Sequence, residues 1–144
     1  MNIFIASDFN DFARCIMIRT RVFVVEQEIA ASLETDHFEN ASTHYLVSHE
    51  QGFIATARSR FLEDKETAKI ERVAVLKEAR GKGVGRQLMD YILNNLDAYP
   101  HLKTIQVGSQ NTAIAFYQKL GFQVIGEEYL DAGIPHHLMI KPVN

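Results

Sequence analysis

A chain of 144 residues, 47% hydrophobic and 10% aromatic, has enough apolar material for one compact core and too much for wholesale disorder. Fifteen Lys+Arg against eighteen Asp+Glu leave a formal charge of −3, which argues against a nucleic-acid binder. Cys15 is alone, so no internal disulfide can form, and no apolar run could span a bilayer. The first residues also lack the pattern of a secretion signal, so a cytoplasmic setting is expected.

Residues 3–6 read as a short apolar strand. Ser7 can cap the helix that follows, its hydroxyl taking a bond from a first-turn N–H. Phe9, Phe12, Ala13, Ile16 and Met17 recur at spacings of three and four, which predicts one buried face. Beyond lies Arg19 to Gln27, then an aperiodic stretch over 28–42 carrying Glu28, Glu34, Asp36 and Glu39. A connection that long is unusual, and such loops often cover binding sites.

Residues 43–49 and 53–61 predict a hairpin around Gln51 and Gly52. In its second strand, alternation puts Phe53, Ala55, Ala57, Ser59 and Phe61 on one face, with Ile54, Thr56, Arg58 and Arg60 on the other. Residues 69–75 form another strand, with Glu71, Val73 and Val75 on a common side. Leu88, Met89, Ile92, Leu93 and Leu96 mark a helix that ends before Pro100. A strand over 103–107, a short helix over 112–120 closed by Gly121, and strands over 122–128 and 136–140 complete the chain. No repeat or Pro/Gly-rich linker divides it, so 1–144 is read as a single domain. Strands and helices interleave, with a hairpin early and another late, which suggests an α/β domain with a mixed sheet.

The richest chemistry lies between residues 70 and 86, where a strand enters a loop with glycines at 81, 83 and 85 and a helix leaves it. Glycines allow positive φ and remove Cβ atoms that would block an anion. The helix start adds unpaired N–H donors and about half a positive charge. Arg80, Lys82 and Arg86 supply mobile cations, so a di- or polyphosphate ligand is expected. A P-loop fails because Leu76 stands where its first glycine belongs and Gly83 follows the lysine. A dinucleotide fingerprint fails because Arg86 takes the place of its third glycine.

Arg80-x-x-Gly83-x-Gly85 resembles the Arg/Gln-x-x-Gly-x-Gly/Ala motif of the GCN5-related N-acetyltransferase (GNAT) family, which binds the coenzyme A pyrophosphate. Further along, Gln110-Asn111, Ala113-x-x-Phe116-Tyr117 and Leu120-Gly121-Phe122 follow in that family's order. The resemblance implies a mixed, mostly antiparallel twisted sheet flanked by helices and splayed between two central parallel strands, here 70–75 and 103–107. It implies acetyl-CoA as cosubstrate and transfer of its acetyl group to an amine, directly, in a ternary complex. The backbone around Val73, Ala74 and Val75 would hold pantetheine, and the loop from Arg80 and Gly81 through Val84 to Arg86 the phosphates. Phe116 belongs to the same coenzyme wall.

Tyr117 matches the position that often protonates the departing thiolate, and a phenol of pKa ~10 suits that donation. Packing on the short helix is its other reading. Asn111 often contacts pantetheine in this family, though capping the helix would explain it equally. Glu71 is the candidate for relaying a proton through water; a salt-bridged carboxylate is the alternative, and many members have no dedicated base.

Two further segments look like a narrower group of small bacterial members: Arg19-x-x-Val22-Phe23-x-x-Glu26-Gln27, and Leu130 to His136. In that group they meet at the acceptor side, which makes Arg19, Glu26 and His136 candidates for the acceptor pocket. Arg58, with Arg60, is a candidate for recognising an acidic substrate group, or else cross-links neighbouring elements. His136 and His137 point to opposite strand faces, so no metal is expected. The acceptor is a small molecule or a protein amine, and a homodimer is common among relatives. The rival reading is a coenzyme A-binding sensor without turnover; a nucleotide-binding regulator ranks below it.

Overall fold

The computed structural model describes residues 1–50 and 52–143. Gly52 opens its strand at the expected hairpin, while Gln51 lies outside the described residues. Seven strands form one sheet: β1 (Asn2–Ile5), β2 (Thr43–His49), β3 (Gly52–Phe61), β4 (Thr67–Val75), β5 (Thr104–Gln110), β6 (Gln123–Asp131) and β7 (Ile134–Pro142). Their spatial order is β1-β2-β3-β4-β5-β7-β6, antiparallel throughout except for the parallel pair β4 and β5. Helices α1 (Phe9–Arg19), α2 (Val84–Leu96) and α3 (Ile114–Lys119) flank it.

The sheet has a core on each face. On one, Leu88, Met89 and Ile92 of α2 are fully buried against Ile70, Ile105, Val107 and Met139. Truncating any of these three to alanine costs about 2–5 kcal/mol by the cavity it leaves. On the other face, Cys15, Ile18 and Val22 pack against Leu46 and Ala74. Helix α1 continues without a break into a π-helical stretch, Thr20–Glu26, which ends with Gln27 N–H bonded to the carbonyl of Val22. That wider turn carries the α1 face on to Phe23 and the edge of β4.

Four local expectations are corrected. The cap of α1 is Asp8, whose carboxylate accepts the Asp11 N–H at 2.8 Å, and Ser7 gives its own N–H to Asp11 instead. A full negative charge at the helix start outweighs a hydroxyl. The buried face of α1 is Cys15, Ile18 and Arg19, leaving Phe9 82% and Met17 65% exposed. The helix is rotated so that Arg19 reaches the loop over 28–42, a demand that periodicity alone does not register.

On β3, the pairing slips between Val47 and Ser48, making Ile54 an extra residue. Phe53 therefore leaves the face of Ala55 and Ala57 and joins the second core. On β4, Arg58 pairs with Glu71 and Thr56 with Ala74, so three steps on β4 oppose two on β3. Arg72 takes up the extra residue at φ 55°, a left-handed conformation costing about 1–3 kcal/mol. Beyond this bulge Val73 and Val75 pack on the main core, while Glu71 turns the other way, toward Arg58 and Arg60. Glu71 thus does not share a face with Val73 and Val75.

Candidate active site

Pairing of β4 with β5 runs from Thr67 opposite Thr104 to Ile70 opposite Val107 and stops, although β4 continues to Val75 and β5 to Gln110. The two strands part there, and a cavity of about 630 Å³ opens between them. Val75, Arg80 and Gly85, on and beside the loop before α2, line it together with Val73, Ala74, Phe116 and Tyr117 and with Ile29, Leu33, Glu34 and His136. The expected splay falls on the two expected strands, each longer than predicted.

In the loop before α2, Gly81 and Gly83 have φ of 77° and 79°, and Gly83 is the N-cap of α2 without a side-chain cap. A Cβ at either glycine would meet no protein atom within 4 Å, so these positions open outward. A Cβ on Gly85 would lie 3.5 Å from the Phe116 ring, close enough to fix how α2 sits on α3. The first turn of α2 thus has no side-chain cap for its amides and the dipole behind them, which fits a diphosphate. The unpaired stretches of β4 and β5 fit an extended, amide-bearing arm.

The cations of this loop are partly engaged. Arg80 donates through Nε to the Val75 carbonyl at 2.9 Å and holds Glu26 by two bonds of 2.8 and 2.9 Å. Glu26, expected at the acceptor pocket, is therefore tied to the loop before α2 and does not line the cavity. The π-helical stretch carries it there, and spacing could not show this. Lys82 lies 3.5 Å from the Glu78 carbonyl, and exposed Arg86 stands 3.5 Å from Asp90 one helical turn on.

Tyr117 is 8% exposed, packed edge-on against Phe116 and Phe122. Burial pushes its phenol up to about 12. Asn111 does not cap the short helix, because its amide N–H goes to Glu128 at 2.6 Å and its oxygen faces His137 Nδ1 at 2.8 Å. The segment from Asn111 to Ala113 is a 3₁₀ turn, and α3 begins at Ile114 without a side-chain cap.

Arg19 and Arg58, expected at the acceptor pocket, do not line the cavity. Arg19 is 1% exposed and donates to Glu34 and Glu39; Arg58 is 0% exposed and grips Asp36 at 2.8 and 2.9 Å. Arg58 also pairs with Glu39 and Glu71, and Arg60 bonds Glu71 at 2.6 Å while its guanidinium lies 3.7 Å over the Phe38 ring. A buried guanidinium must spend its donors on carboxylates, so these arginines pin the acidic loop to the sheet. That loop in turn presents Ile29, Leu33 and Glu34 to the cavity. Hydrogen bonds from Arg58 hold the Asp36 carboxyl down at about 2. Burial works against the Glu39 charge, but bonds from Arg19 and Arg58 outweigh it and hold that carboxyl at about 2.

His136, which lines the cavity, is buried, with Nδ1 2.6 Å from the Ile134 carbonyl. Tyr129 stacks on its ring at 5.7 Å and 29°. The β6–β7 register places Ile125 opposite Leu138 and then Tyr129 opposite His136, so β6 bulges through Gly126 at φ 74° to bring the phenol over. Gly108 makes room for it: a Cβ there would stand 2.6 Å from the Tyr129 oxygen. Sequence reasoning missed Tyr129, Gly108 and Arg72, all of which line the cavity. Gly108 lies just past the strand expected over 103–107, and only the observed length of β5 puts this glycine inside it, where it signals close approach; nothing in the sequence marked Arg72.

What the parting of β4 and β5 creates is a slot for a long, phosphate-bearing donor, and the class so defined is the coenzyme A-dependent acyltransferases. Residues 13–143 match the acetyltransferase (GNAT) domain family. The uncharacterized N-acetyltransferase YjcF of Bacillus subtilis (strain 168) is 35% identical over 142 residues, covering 98% of this chain and 99% of that protein. The crystal structure of Escherichia coli ElaA superposes with a TM-score of 0.87 at 28% identity, over 97% of this chain and 98% of that one. An acyl-CoA N-acyltransferase from Pseudomonas aeruginosa shares the fold, with a TM-score of 0.87 at 24% identity over 98% and 99% of the two chains. The chain belongs to the GNAT acetyltransferase family and is an acetyl-CoA-dependent N-acetyltransferase.

Proposed function

We propose that the acetyl group passes directly to a primary amine of a small molecule or protein, with donor and acceptor held together in one ternary complex. The observation that supports this most is that Arg80, Gly85, Tyr117 and His136 all line the same cavity of about 630 Å³. Cys15, the one thiol of the chain, is buried in the second core and cannot serve as a covalent relay.

First-turn amides of α2, with Arg80, Lys82 and Arg86, hold the phosphates, and the backbone of Val73, Ala74 and Val75 holds the arm. The coenzyme supplies an acetyl group activated as a thioester. Tyr117 keeps its phenolic proton at neutral pH, since burial raises it to about 12, and lends that proton to the departing sulfur. Glu71, tied to Arg60 and Arg58, shapes the wall beside the acceptor.

The test is thioester consumption over a panel of amines, wild type against Tyr117→Phe. The expected result is turnover with at least one amine and a fall in kcat of about 10- to 1000-fold in the variant, with acetyl-CoA affinity unchanged. Tight acetyl-CoA binding with no turnover by the wild type over the whole panel would instead mark a sensor.

A further inference from the structure

We propose that His136 is the general base that takes a proton from the acceptor's ammonium, a role that rests on the acetyl-transfer reading of the cavity. The geometry decides the tautomer. Nδ1 lies 2.6 Å from the Ile134 carbonyl, which can only accept, so Nδ1 carries the proton. The lone pair of the neutral ring is then on Nε2. The sealed-off buried side-chain atoms without partners, among the described residues, are His44 Nδ1 and Arg58 Nε. His136 Nε2 is not one of them, so it is not enclosed, and His136 lines the cavity.

The ring is also held in place. Tyr129 covers one face of it, Gly108 admits the phenol, and the sheet pairs His136 with Gln110 at the end of β5. A base works only if its lone pair stays aimed at the proton, and these contacts supply that aim.

The other titratable or charged groups that line the cavity are less suited. They are Tyr129 and Asp131 from β6, Lys69, Glu71 and Arg72 from β4, Glu34 from the acidic loop, Arg80, a cation held by Glu26, and Tyr117, the proposed acid. Glu71 is spent on Arg60 and Arg58, and Glu34 on Arg19. Lys69 and Arg72 are cations, Tyr129 is a phenol, and Asp131 is exposed at the hairpin. His136 alone of these offers a neutral nitrogen lone pair without a cation against it.

The protons balance. Of the three on the ammonium, one stays on the amide as the C–N bond forms and the C–S bond breaks. A second passes to His136 Nε2 and from there to solvent. The third replaces, through solvent, the proton that Tyr117 lends to the sulfur.

The experiment measures acetyl transfer at saturating acetyl-CoA to ethylamine, almost wholly protonated at neutral pH, and to 2,2,2-trifluoroethylamine, mostly neutral there. Wild type is compared with His136→Gln and His136→Ala, with folding checked by near-UV circular dichroism and acetyl-CoA affinity by calorimetry. The expected result is a loss of about 100-fold or more with ethylamine in both variants and a change within about threefold with trifluoroethylamine. An equal loss with both amines would make His136 a shaper of the pocket and overturn the base, as would no loss with either. Wild-type binding of acetyl-CoA without turnover of these two amines or of any other in the panel would overturn the acetyl-transfer reading itself.

Discussion

Glu26 holds Arg80 by both carboxylate oxygens, at 2.8 and 2.9 Å, across 54 residues of chain. The pair is part-exposed, so it is worth little in stability, but it occupies the guanidinium fork that a phosphate would use. If the coenzyme's phosphates bind at this loop as proposed, they displace or share that fork. Glu26→Gln is therefore expected to tighten coenzyme A binding about 3- to 10-fold in calorimetry at low salt, with the gain shrinking as salt rises. Weaker binding would mean that Glu26 orients Arg80 rather than competing for it.

Gly83 begins α2 at φ 79° with no protein atom within 4 Å of where a Cβ would stand. Gly83→Val adds backbone strain of about 1–3 kcal/mol and places methyl groups in the space left for the phosphates. Coenzyme A affinity should fall at least about 10-fold while the domain stays folded, with Tm lower by several degrees. Unchanged affinity would move the diphosphate away from this loop.

The arginine–carboxylate network predicts the shape of acid unfolding. Asp36 and Glu39 sit at about 2 in the folded chain, below ordinary values of 3.8 and 4.5. The unfolded chain therefore binds protons more readily, and this stabilisation is full above the ordinary values and lost as pH falls toward 2. Urea titrations from about pH 7 down to 2 should show a plateau ending near pH 5 and then a steady decline. Arg58→Met leaves the Asp36 carboxylate only Arg72 at 3.4 Å and the Phe38 N–H, removes half of the Glu39 pairing, and should cost about 3–5 kcal/mol at neutral pH with a flatter acid limb. An unaltered acid limb would exclude Arg58 as the cause.

Gly108→Ala tests the cavity beside His136 without removing a polar group. The new Cβ would stand 2.6 Å from the Tyr129 oxygen, so that phenol must move and uncover His136. Turnover of an accepted amine should drop about 10-fold or more while coenzyme A affinity stays within about twofold. Equal damage to both would mean that the strands themselves had shifted.

Some of this was legible along the chain, because its causes are local. A glycine loop between a strand and an amphipathic helix must sit at a helix start, whatever surrounds it, and Gly83 does. The Leu88-to-Leu96 stripe faces the core because helical spacing permits little else, and Tyr117 enters the cavity wall three residues into the short helix α3. What the tertiary structure alone decided depends on which strand residue opposes which. A single inserted residue at Arg72 turned Glu71 away from Val73, and the β6 bulge delivered Tyr129 to His136. The buried arginines Arg19 and Arg58 found their carboxylates in a loop without periodicity, and the π-helical turn sent Glu26 to Arg80. Register, bulges and long-range ion pairs are set by the whole sheet at once, so no window of sequence contains them.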